Sequence, residues 1–123
     1  MANPEQLNDE LDRIIILMDE AQESLERYST EWAEKENAYR RRKALTYLNA
    51  TGTVDERKSI VDRECEKERL AAHVAEAMMR ASMENVRNKR AQLSAWQTKA
   101  GNVRAEMDEA RGPQPRWNQG VNF

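Results

Sequence analysis

Apolar side chains recur along this chain in alternating steps of four and three residues, the spacing that gathers them on one stripe of an α-helix. From Leu7 the stripe runs through Leu11, Ile14, Met18, Ala21, Leu25, Tyr28, Trp32, Lys35 and Tyr39, and only Lys35 among them is polar. A second stripe runs Val61, Cys65, Glu68, Ala72, Ala75, Met79, Ser82, Val86, Lys89, Leu93, Trp96, Ala100, Val103, Met107 and Ala110. Both read as heptad seams of long helices. Past Tyr39 the first pattern slips: Ala44, Leu45, Tyr47 and Leu48 carry the apolar character out of the earlier register, which predicts a changed packing angle.

The punctuation between these stripes sets the boundaries. Asn3, Pro4 and Gln6 form a capped helix start, with proline at the first helical position and Gln6 completing a capping box, so helix one spans about 4–50. Gly52 suits a left-handed residue after a helix, and Thr53-Val54-Asp55-Glu56 opens a second capping box directly behind it. A stop that touches a start makes a tight turn at 51–53. Helix two then spans about 54–110; Gly101 lies inside it without breaking the spacing and weakens it locally by ~1 kcal/mol. Gly112-Pro113-Gln114-Pro115 ends it and begins an extended tail, 112–123. The predicted fold class is all-α: residues 1–111 form a long antiparallel, coiled-coil-like helical hairpin.

Two helices pressed together bury one stripe each, and this chain has more apolar surface than that. Ile14 to Met18 covers every direction around helix one, and Leu70, Val74, Met78 and Ala81 add a stripe beside the main seam of helix two. A second chain is the expected cover, giving an oligomeric bundle with Ile14, Ile15, Met18, Leu25, Met79, Val86 and Leu93 along its seams. Trp32 and Trp96 fall on the stripes as core aromatics. Trp117 and Phe123 lie outside any stripe and are the expected anchors for a partner.

Composition narrows the chemistry. With 123 residues, 34% charged, 6% aromatic and a net charge of −2, no global field draws the chain onto nucleic acid or anionic lipid. One cysteine, Cys65, has no intrachain partner for a disulfide, and one histidine, His73, has no second ligand at metal spacing. A thin helical rod encloses little volume for catalysis, so no catalytic residue, cofactor, metal or small-molecule substrate is expected. The N-terminal MANPEQLNDELDR lacks the basic and then apolar pattern of a secretory signal, and the expected location is cytoplasmic, away from membranes. The sequon at Asn49 is then without meaning.

Local charge is uneven. Residues 1–36 carry three basic and eleven acidic groups, residues 37–51 four basic and none acidic, and residues 80–104 six basic against Glu84 alone. In a hairpin turning at Gly52, residue i faces roughly residue 104 minus i, so the basic 80–104 block lies beside the acidic start of the chain. The segment facing Arg40-Arg41-Arg42-Lys43 is mixed in sign and does not neutralise it. Arg40, Arg41, Arg42 and Lys43, with Tyr47 beside them for base stacking, are the candidate nucleic-acid contacts.

The stretch AYRRRKALTYLNATGTVDERKSIVDRECEKERLAAHVAEAMM, followed by RNKRAQLSAWQTKAGNVRAEM, resembles small all-helical bacteriophage DNA-metabolism proteins, and among them the UvsY-type recombination mediators. The resemblance covers about residues 31–107 and lies in size, a long acidic-to-basic first helix with a YR-rich stretch, a short turn and a following helical region. It implies an oligomeric accessory protein in a bacterial host that binds single-stranded DNA and helps load a recombinase, with Arg40, Arg41, Arg42 and Lys43 as the matching basic positions. The competing expectation is a coiled-coil adaptor, scaffold or host-takeover protein that binds only proteins.

Overall fold

A computed structural model describes residues 3–112 and is helical almost throughout. Three helices follow in chain order: α1 (Pro4–Asn49), α2 (Val54–Glu64) and α3 (Glu66–Ala110). No strand occurs among the described residues. At 1.5 Å per residue, α1 and α3 are each about 70 Å long. The first expected capping box is complete, and of the second only the Thr53 half is formed. Gln6 donates its backbone N–H to Asn3 Oδ1 at 2.8 Å while the Asn3 N–H reaches Gln6 Oε1 at 3.2 Å, closing the capping box with Pro4 just inside the helix. At the turn, Gly52 takes φ +110°, and Thr53 Oγ1 accepts the Glu56 N–H at 3.2 Å to start α2.

α1 packs on α3 along most of its length. Near one end Leu7, Ala100 and Val103 form a buried cluster with Trp96 against it, and Lys99 Nζ meets Glu10 Oε2 at 3.1 Å. Toward the other end Arg42 Nε lies 3.9 Å from Glu68, and the Cys65 thiol lies 3.6 Å from the Thr46 hydroxyl. Low numbers in α1 meet high numbers in α3, an order consistent with a hairpin. Of the seven seam residues expected at an interface between chains, Ile14 and Val86 are buried within this chain. Met18, Leu25, Met79 and Leu93 are half-buried on the same seams, and Ile15 is exposed. Those seams therefore serve the packing of the chain on itself.

Two local expectations are corrected. Helix two is interrupted at Cys65, which takes φ −100° and ψ 9° and is only 1% exposed. The backbone bonds Cys65 N–H to Val61 O and Arg69 N–H to Cys65 O, both 2.9 Å, carry the ladder across, so the interruption bends the helix without ending it. Gly101 lies inside α3 without breaking it, as the spacing predicts, and is exposed. Past Tyr39, Ala44, Leu45 and Leu48 are exposed and take no part in the core. Thr46, one heptad on from Tyr39, is buried instead, and the contact face drifts from Lys35 to the half-buried Glu36. A straight α-helix drifts about 20° per heptad relative to a strict seven-residue repeat, which accounts for the sense of this rotation. The tail residues Trp117 and Phe123 lie outside the described residues.

The charge alignment is realised sparingly. Lys99 bridges to the acidic start of α1, but Arg80 pairs with Glu76 at 2.7 Å and Arg87 with Glu84 at 3.4 Å on their own helix. These pairs are partly or largely exposed and add little stability.

Candidate nucleic-acid interface

The four consecutive cations of α1 are separated by 100° steps and cannot share a face. Arg40 and Lys43, three apart, point to one side; Arg42 points to the other, where it lines a groove with Leu45, Ile60 and Glu64 and approaches Glu68. Arg41 is exposed and borders neither groove. The quartet is thus divided, as a fan of about 300° over four helical positions requires.

What gathers Arg40 and Lys43 into a site is the short helix behind the turn. Arg57 of α2 donates from Nη2 to the Tyr47 carbonyl oxygen at 2.7 Å and lays its guanidinium 4.1 Å from the centre of the Tyr47 ring. This double contact, a charge-assisted hydrogen bond with a cation–π stack, fixes α2 against the last turns of α1. Between the two helices a groove of about 490 Å³ opens, lined by Arg40, Lys43, Ala44, Tyr47, Lys58, Val61 and Asp62. Three cations therefore stand around an apolar floor of Ala44, Val61 and the Tyr47 ring, with one carboxylate among them. Arg40 also holds Glu36 through Nε at 3.1 Å, and Lys43 sits 5.8 Å from the centre of the Tyr39 ring. Both cations remain exposed.

Lys58 and Arg57 escaped the sequence reading because they lie in residues 52–79, where five basic groups are offset by seven acidic ones. The hairpin relation nonetheless contains the signal, since it sets position 58 beside position 46. Tyr47 was singled out for stacking; its ring carries the Arg57 guanidinium, and the residue also lines the groove. Three cations beside an aromatic ring make this groove the strongest local concentration of anion-attracting chemistry around the turn.

Trp96 donates Nε1–H to the Leu7 carbonyl oxygen at 2.9 Å across the helix pair. Cys65 is buried and His73 exposed. Among the described residues no helix is long and apolar enough to cross a membrane. Comparison with protein-family models, with curated proteins and with solved structures finds no match to this chain.

Proposed function

We propose that the chain is an antiparallel, coiled-coil-like hairpin that assembles with copies of itself and acts without catalysis as an accessory factor in phage-type DNA recombination or replication, binding single-stranded DNA in the groove between α1 and α2. The observation that supports this reading is the convergence of Arg40, Lys43 and Lys58 around Tyr47. The cations neutralise successive phosphates, the tyrosine ring accepts a base of any identity, and binding is correspondingly indifferent to sequence. A recombinase is the protein partner this role calls for, and the cell interior of a bacterial host is the place.

The test is fluorescence anisotropy of a labelled single-stranded oligonucleotide across a salt series. Three phosphate contacts predict a slope of log affinity against log salt of about −2 per chain. Replacing Arg40, Lys43 and Lys58 together with glutamine removes both binding and slope, while Arg41→Gln, outside the groove, leaves most of the affinity in place. The second reading, an adaptor that binds only proteins, is favoured by the exposed apolar stripe of Leu70, Val74 and Met78. It predicts no binding at physiological ionic strength, and that result sinks the DNA reading.

A further inference from the structure

α3 carries a second heptad stripe. Lys67, Leu70, Val74, Ala77, Ala81 and Glu84 follow one another in steps of three and four, and every one of them is exposed, Leu70 at 52% and Val74 at 63%. Each lies two residues on from a position of the buried seam (Cys65, Glu68, Ala72, Ala75, Met79, Ser82), hence about 200° around the helix and on the face turned away from α1. The stripe is apolar at its centre, cationic at one end and anionic at the other.

We infer that this stripe is the contact between two copies of the chain, packed antiparallel about a two-fold axis that sets Val74 opposite Ala77 of the second copy. In this register Leu70 meets Ala81 of the second copy, so every central layer joins a large side chain to a small one, which lets the helices approach closely. Lys67 meets Glu84 of the second copy at both ends of the contact. On one rim Glu66 falls opposite Arg87 of the second copy, whose present partner Glu84 holds it only at 3.4 Å on the open surface. On the same rim His73 faces Arg80, whose charge Glu76 already meets.

The alternatives are disfavoured by the same residues. A parallel pair places Lys67 on Lys67 and Glu84 on Glu84. Sliding the antiparallel pair by one heptad sets Lys67 against Ala77 in one direction and Glu84 against Val74 in the other, burying a charge on an apolar surface. This contact rests on the self-assembly part of the proposed function, and it leaves the groove between α1 and α2 open.

Sedimentation equilibrium of the full chain tests it, using Lys67→Glu, Glu84→Lys and the double variant. Each single change creates two like-charge contacts per pair of chains and weakens association at least about tenfold; the double variant restores it to within about threefold. Both positions are exposed, so none of the three variants removes a side chain from the packing of α1 on α3. Restoration by the double variant supports the register. A wild-type chain that associates but is insensitive to the single changes, or a double variant weaker than either single one, overturns the register and leaves self-assembly standing. A wild-type chain that stays monomeric at every concentration overturns both.

Discussion

Trp96 shows how one residue joins distant parts of the chain. Its ring packs on the cluster of Leu7, Ala100 and Val103, and its N–H reaches the Leu7 carbonyl oxygen. Trp96→Phe keeps most of the packing and loses the hydrogen bond, at a cost of about 1 kcal/mol; Trp96→Ala costs about 3 kcal/mol. Urea unfolding followed by circular dichroism reads both. Arg57 does the corresponding task at the turn. Arg57→Gln removes the stack on Tyr47 and the bond to its carbonyl oxygen, and it weakens oligonucleotide binding several-fold without taking a cation from the groove, because α2 is no longer held in place. At this scale the seams were largely readable, since apolar periodicity marks Ile14, Ala21, Ala72, Ala75 and Val86 as inward-facing, as they are. Thr46 and Ser82 are buried too. Ser82 was placed by the spacing, but at Thr46 the neighbouring Leu45 and Leu48 outweighed a polar residue in the pattern.

Among the elements, the two glycines tested by the helix boundaries have opposite roles. Gly101 is exposed in mid-helix and a Cβ there meets nothing within 4 Å, so Gly101→Ala stabilises α3 by about 1 kcal/mol, seen as a higher melting temperature. Gly52 holds φ +110°, and Gly52→Ala strains the turn and destabilises the chain by a similar amount or more. Caps and turn were legible because their residues act locally: Asn3 and Thr53 need only the next turn of helix to do their work. The bend at Cys65 was not. No proline or glycine marks it, and it becomes visible only when Cys65 is seated against Thr46 of the other helix. The groove was half legible for the same reason, with Arg40, Lys43 and Tyr47 found on α1 and Lys58 arriving only with α2.

For the whole molecule, the decisive property is how little bulk the helix pair encloses. Half of the buried hydrophobic set is small (Ala21, Cys65, Ala72, Ala75 and Ala100), and the other half is Leu7, Ile14, Val61, Val86 and Val103. Small residues allow α1 and α3 to lie close, but each contributes a small area to the apolar burial that opposes chain entropy. Meanwhile Ile16, Leu48, Val54, Leu70 and Val74 are all more than half exposed. If copies stabilise one another, folding obeys mass action, and the midpoint of thermal melting climbs as the solution is made more concentrated. Calorimetry over a hundredfold dilution series shows that climb, whereas a constant midpoint means that each chain stands alone. If copies do associate, a core built half from alanine and cysteine makes the folded fraction depend on how much protein is present.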